Sequence, residues 1–280
     1  MKQRILTGIL IFTMTVLLII FSGFIVYPIV LAALCVRGVF ELMRVIGVEK
    51  RLSVAIPAYI LSAVFPILAY FVDSDTTIQY LLALAAAMFV YMLYLMGCGV
   101  FSKGKLSFSK LSELFTSITY VTVSFSSLSL MRYLDREVGV FVIVLVFLVS
   151  WACDTGAYFT GMLFGKHKLI PEISPKKTVE GAIGGIVIAT LAYLLYGFVL
   201  DKLIPEMYVN YIFLGVFGML LSVFSQLGDL IASLLKREYG VKDYGRIFPG
   251  HGGVMDRFDS TVSVSTALMI LCAVFPPFSL

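Results

Sequence analysis

The sequence predicts an all-α, polytopic integral membrane protein, with about nine transmembrane helices and its polar chemistry at the cytoplasmic face. Three observations carry this. The 280 residues are 60% hydrophobic and 14% charged, and their mean hydropathy is +1.00. Apolar runs of about 20 residues, the length that crosses a bilayer core, recur along the whole chain. The basic residues between those runs fall mostly on one side of the membrane, as positive-inside bias requires.

Taken in order, the apolar segments span residues 5–22, 24–43, 53–72, 79–101, 111–131, 138–160, 178–200, 208–234 and 256–275. The first follows MKQR and reads as a membrane helix and not as a signal peptide, because a second apolar run follows at once. Leu34 before Cys35 is also too large for a lipoprotein cleavage site. Only Ser22 and Gly23 separate the first two segments. With the N-terminus in the cytoplasm, 17 of the 21 basic residues fall on the cytoplasmic side. Arg132, Arg136 and Lys202 lie opposite, and Arg37 lies within the second helix. Residues 1–135 hold about five helices, and residues 136–280 hold about four together with loops 161–177 and 236–259, as one integrated membrane domain.

A separate soluble domain is excluded, since no segment is long and polar enough. The net charge of +4 sits in short loops and not in one stripe, so nucleic acid is not an expected partner. Cys35, Cys98, Cys153 and Cys272 are scattered through apolar segments without CxxC spacing and read as packing residues. His167 and His251 are too isolated to form a zinc site.

Charge inside apolar segments points to function. An ionised carboxylate in hydrocarbon costs about 2.5–3.5 kcal/mol on insertion scales, so Asp154 and Asp229 need a cavity, a cation or a metal. The structural alternative for Asp229 is a pair with a lysine on another helix. Asp229, Ser233 and Lys236 share a helix face at i, i+4 and i+7, and Gln226 and Ser222 extend it. Asp256, Asp259 and Ser263 line one face at the start of the ninth helix. Two carboxylate-bearing faces joined by a basic, glycine-rich loop suit a hard divalent cation carrying phosphate.

That loop holds Lys236, Arg237, Lys242, Arg246 and Arg257, with His251 among Gly250, Gly252 and Gly253. Cations, carboxylates and permissive backbone are what a polyphosphate and its metal ion require. The second loop ends in Ser174-Pro175-Lys176-Lys177-Thr178. Thr178 is placed to cap the seventh helix, whose N-terminus favours anions. A topological role for its lysines is the competing reading. Gly181, Gly184 and Gly185 read as close helix packing.

The run Ser233-x-x-Lys236-Arg237-x4-Lys242-Asp243-x-Gly245-x-x-Phe248-Pro249-Gly250-His251-Gly252-Gly253-x-x-Asp256-Arg257-Phe258-Asp259 resembles the signature of the phosphatidate cytidylyltransferases, the CDP-diacylglycerol synthases. Residues 154–159, 164–169 and 174–178, with Glu180 and Gly181, are similar to that family's preceding blocks, and MKQRILTG to a bacterial family start. Met162 departs from the pattern, since relatives often carry a basic residue there.

The resemblance implies a membrane enzyme that joins CTP to phosphatidic acid with Mg²⁺, giving CDP-diacylglycerol and pyrophosphate, and that works as a homodimer in the cytoplasmic (inner) membrane. In that frame Asp229 and Asp256 are the expected metal ligands. Asp259 is a third ligand or the orienting partner of Arg257, and Asp154 holds a second cation or fixes a lysine. Lys176, Lys177, Lys236, Arg237, Lys242 and Arg257 divide the phosphates of nucleotide and lipid. Ser174 and Ser233 supply hydroxyl donors, His251 donates to phosphate or anchors its loop, and Gly250, Gly252 and Gly253 admit backbone N–H groups to phosphate oxygens. A CTP-dependent transferase for another lipid phosphate and an ion-coupled transporter are the alternatives.

Overall fold

The computed structural model describes residues 2–103 and 106–280, with backbone alone over residues 2–6. Lys105, which entered the charge count, lies outside the described residues, as do the side chains of Lys2 and Arg4.

Among the described residues nine α-helices follow in the expected order: α1 (Lys2–Ile20), α2 (Val26–Ile46), α3 (Leu52–Leu68, extended by one 3₁₀ turn, Ala69–Phe71), α4 (Thr77–Phe101), α5 (Phe108–Leu134), α6 (Gly139–Phe164), α7 (Val179–Leu203), α8 (Tyr211–Glu238) and α9 (Met255–Val274). Seven of these, α3 to α9, are long and apolar enough to cross a membrane. α2 carries Arg37, Glu41 and Arg44 within its apolar sequence.

Four short strands among the described residues are additions to the all-helical expectation. β1 (Lys168–Ile170) and β2 (Ser174–Thr178) form an antiparallel hairpin, with Lys168 opposite Thr178 and Ile170 opposite Ser174. β3 (Tyr208–Val209) pairs with β4 (Phe278–Ser279). Of the expected loop 161–177, residues 161–164 continue α6, and the segment from Lys168 is a folded hairpin that runs to Thr178. Its backbone groups find partners in one another, as buried or half-buried amides must.

The chain divides into two compact units. The first comprises residues 1–136 and 241–257. Its core is α2, α3 and α5, locked by side chains that reach backbone carbonyls. In the last turn of α3, Tyr80 Oη donates to Phe65 O (2.9 Å) and Ser129 Oγ to Pro66 O (2.7 Å). Tyr133 Oη, likewise, donates to Ser22 O at 2.9 Å. Gly47 closes α2 with φ +80°, a left-handed cap that glycine adopts without steric cost.

The second unit comprises residues 137–240 and 258–280. α6 and α7 approach closely along the glycines of GAIGG. A methyl at Gly181 would lie 2.8 Å from the Ala157 carbonyl and one at Gly185 2.9 Å from the Cys153 carbonyl, while Gly184 faces Thr160. These glycines are the small-residue interface the sequence indicates. Thr178 caps α7, its Oγ1 accepting from Gly181 N at 3.1 Å, and Asn210 caps α8, its Oδ1 accepting from Phe213 N at 3.1 Å. Gly228 of α8 lies against Ser263 and the Asp259 carbonyl of α9.

Candidate active site

In the second unit, α6, the β1–β2 hairpin, the start of α7 and the middle of α8 enclose a cavity of about 330 Å³. Asp154, Lys176, Lys177 and Gln226 supply its polar lining, and Tyr158 and Met162 part of its apolar wall. The hairpin is held by one carboxylate. Glu180, in the first turn of α7, accepts from Lys166 N (3.1 Å) and His167 N (3.2 Å), and lies 2.6 Å from His167 Nδ1. At the turn, Arg237 Nε donates to Ile173 O at 3.4 Å, so this cation is engaged with the hairpin.

Lys177, on β2, meets Asp229, on α8: Nζ and Oδ2 are 2.5 Å apart, with the side chains 27% and 31% exposed. The structural alternative for Asp229 anticipates a lysine partner from another helix; the partner is a lysine, but it comes from a strand. The pair also joins the two most informative sequence segments of this unit at one edge of the cavity. Asp259 lies in the electrostatic field of Asp229, Lys236 and Asp154. Three carboxylates and two lysines therefore act on one region of the second unit. Ser233 and Lys236 are half-buried on α8, Ser174 is half-buried on β2, and Lys176 is exposed. Gln226 of the polar stripe donates from Nε2 to Ala182 O at 3.1 Å, whereas Ser222 is buried and turns to its own helix, on Met219 O.

The first unit contains the glycine-rich loop. Asp256 organises it: Oδ2 accepts from Tyr244 N (2.7 Å), Gly253 N (2.8 Å) and Gly245 N (3.4 Å). Gly250 and Gly252 have φ of +75° and +85°, and a side chain at Gly252 would press on the Asp256 carboxylate. Phe248 N donates to Gly252 O and His251 N to Phe248 O, both at 2.9 Å, closing a tight loop around the half-buried His251. Lys242, Asp243, Arg246 and Arg257 are exposed. The metal ligands expected at Asp229 and Asp256 thus come from different units.

Among the described residues no three His, Cys, Asp or Glu side chains are grouped closely enough to hold a metal by themselves. Mg²⁺ normally takes one or two carboxylates and fills its other positions with water and phosphate. Carboxylates of the second unit, hard oxygen donors beside lysines, suit an ion delivered with a nucleotide.

A family model described as "Cytidylyltransferase family" matches residues 2–275. The chain belongs to the cytidylyltransferase family. It is 38% identical over 280 residues to a phosphatidate cytidylyltransferase of Bacillus subtilis, covering 98% of each chain. It is 36% identical over 275 residues to one of Staphylococcus epidermidis, covering 97% of this chain and 98% of the relative. A third, from Staphylococcus haemolyticus, is 44% identical over 172 residues, or 61% of this chain and 63% of the relative. The expected class, a membrane-embedded nucleotidyltransferase, holds, and the transporter alternative is set aside.

A cytidylyltransferase must bring polyanions together, so its cavity needs cations held in place without a permanent anion filling it. Lys177, a partly exposed lysine lining the cavity, is held there by the Asp229 carboxylate. Three contributors escaped the sequence reading of this cytidylyltransferase. Glu180 fixes the hairpin, and nothing in its spacing names the His167 and Lys166 amides as partners. Arg44 donates to Tyr244 O at 2.5 Å. Glu41, fully buried in α2, reaches Met255 N at 3.0 Å. The signal for the last two was present as charges in or beside an apolar helix, where Arg37 and Arg44 were weighed only for membrane orientation and Glu41 not at all.

Proposed function

We propose that this chain is a phosphatidate cytidylyltransferase of a bacterial cytoplasmic membrane, making CDP-diacylglycerol and pyrophosphate from CTP and phosphatidate. The observation that carries the reading is full-length similarity, 98% of both chains, to a protein named for that activity. The Lys177–Asp229 pair at a cavity with both a charged and an apolar wall supports it.

In the reaction, an oxygen of the lipid phosphate monoester attacks the α-phosphorus of CTP. The bond from that phosphorus to the β-phosphate bridging oxygen breaks, and pyrophosphate leaves with the bond's electron pair. Phosphatidate is already ionised near neutral pH, so no side-chain base is needed. The protein's task is to offset charge and align two anions. Lys176 and Lys177 take phosphate oxygens at the cavity rim, and Lys236 neutralises charge two turns beyond Asp229 on the same face of α8. Ser174 and Ser233 donate hydroxyl hydrogen bonds. Asp229 holds Lys177 at the cavity and would supply an oxygen to hold a divalent cation. Asp154 and Asp259 are further oxygen donors in the same field. Asp256 keeps the 244–253 loop closed, so that Lys242 and Arg257 project from an ordered backbone. Bound Mg²⁺ would supply neutralisation of the CTP phosphates and of the leaving pyrophosphate. Tyr158 and Met162 provide apolar surface beside the lysines, as a lipid phosphate requires.

In this reading the N-terminus, the hairpin and the glycine-rich loop face the cytoplasm, where CTP is, and the enzyme works as a homodimer. Purified protein incubated with CTP, phosphatidate and Mg²⁺ should release pyrophosphate and form a CDP-lipid. Turnover with prenyl or ether lipid phosphates, and none with phosphatidate, would reassign the acceptor.

A further inference from the structure

We propose that Glu41 of α2 is a positioning residue for cytidylyl transfer, holding the glycine-rich loop and the first turn of α9 through the Met255 amide. The proposal rests on the reading of residues 241–257 as part of the active site. All contacts in its argument lie within the first unit.

Glu41 is fully buried, and both carboxylate oxygens are engaged. Oε1 pairs with Arg37 Nε at 3.2 Å, one turn earlier on the same helix. Oε2 accepts from Met255 N at 3.0 Å, across 214 residues of sequence. Met255 is the first residue of α9, so its N–H is one of the orphan donors of a helix start. A carboxylate there also meets the positive end of the helix dipole. Glu41 thus performs, from another helix, the work of an N-cap.

The surrounding residues make room for it. A methyl on Gly253 would run into the Glu41 carboxylate on every near side, and one on Gly245 would meet both Glu41 and Gly253. Gly38, on the same flank of α2, leaves space for the Met255 sulfur, 3.1 Å from where its Cβ would be. Arg44, one turn beyond Glu41, donates to Tyr244 O at 2.5 Å. Tyr244, Gly245 and Gly253 are the residues whose amides Asp256 gathers. One face of α2 therefore grips the loop at its start, at Gly253 and at Met255, directly beside Asp256 and Arg257.

Stability alone does not account for such a group. A buried ion pair is commonly no more stabilising than apolar side chains of the same volume. What the carboxylate supplies is a fixed direction for one backbone donor, and with it the placement of the next two side chains. This recasts two glycines of the signature loop. Gly245 and Gly253 are needed for the close approach of Glu41, which for Gly253 adds to the expected phosphate access.

Two conservative variants separate reach from charge. Glu41→Gln keeps the length and one acceptor oxygen but loses the charge. Glu41→Asp keeps the charge but retracts it by about 1.5 Å, one carbon–carbon bond, beyond hydrogen-bond range of Met255 N. Each is compared with wild type and Asp256→Asn for kcat and KM with CTP and phosphatidate, thermal unfolding, and amide hydrogen exchange of residues 244–256. The expected result is that Glu41→Gln stays within about fivefold of wild type. Glu41→Asp loses tenfold or more in kcat, with faster exchange in residues 244–256 and a little-changed unfolding temperature. Glu41→Asp equal to or more active than Glu41→Gln would overturn the proposal. So would lost activity without faster exchange in the loop. Near-normal activity of Asp256→Asn would instead remove the loop from the active site, and the role of Glu41 would fall with it.

Discussion

Lys177 Nζ lies 2.5 Å from Asp229 Oδ2, joining the β1–β2 hairpin to the middle of α8. The two residues carry opposite charges at the edge of the cavity, and each is about a third exposed or less. In membrane hydrocarbon either charge alone is costly, and the pair lets both remain ionised without substrate. In the proposed reaction a nucleotide phosphate would compete for the lysine and its accompanying cation for the carboxylate, giving one contact a resting role and a catalytic one.

These roles separate by mutation. Asp229→Asn and Lys177→Gln should each abolish nearly all CTP turnover. If the contact were structural only, the double variant would remove both charges and recover function. The expected result is that the double variant stays inactive while inserting normally. Turnover of purified single and double variants decides between the two.

Geometry at the hairpin gives a second expectation. Lys177→Arg keeps the charge that orients the membrane segments but replaces a compact ammonium with a planar fork. Activity should fall tenfold or more, equivalent to about 1.4 kcal/mol of transition-state stabilisation. Lys103→Arg, with no assigned chemistry, should be close to neutral. Equal, small effects in a steady-state assay would remove the hairpin from the active site.

The α6–α7 interface predicts a purely structural defect. Gly184→Val places a branched side chain against Thr160, where even a methyl group collides. Overpacking of this kind costs about 1–3 kcal/mol. The variant should unfold at a lower temperature, and activity per folded molecule should change less than for Lys177→Arg. An unchanged unfolding temperature would mean that the helices are not in contact there.

Membrane orientation is open to a labelling experiment. Cysteines replacing Lys168 and Lys242 should react with a membrane-impermeant reagent from the cytoplasmic side, and a cysteine replacing Lys202 from the opposite side. All three side chains are exposed. Labelling of positions 202 and 242 from the same side would rule out the proposed path of the chain between them.

Much of this architecture was legible in the sequence, because a long apolar run must satisfy its backbone internally and so becomes a helix. The ninth apolar run, 256–275, differs from α9 by one residue at each end. Thr178 was readable as a cap from its place between a polar loop and an apolar run. The hairpin was not readable, because five residues such as SPKKT carry no apolar alternation and are extended through tertiary contacts. The stripe of Gln226, Asp229 and Ser233 showed which face of α8 is polar, but spacing along one helix names no partner on another element. Lys177 was therefore visible as a cation and not as the partner of Asp229. Glu41 was missed outright. Arg37 and Arg44 entered only the charge count, and the loop that buries Glu41 lies some 200 residues away.

The most direct measurement of the central claim follows the phosphorus atoms of CTP. Purified protein with phosphatidate and Mg²⁺ is given CTP labelled at either the α- or the γ-phosphate, and lipid and aqueous products are separated. Transfer of a cytidylyl group predicts α-label in a lipid-soluble CDP-diacylglycerol and γ-label in pyrophosphate, in equal amounts. Label from the γ-phosphate in the lipid, or release of pyrophosphate with no α-labelled lipid, would contradict it.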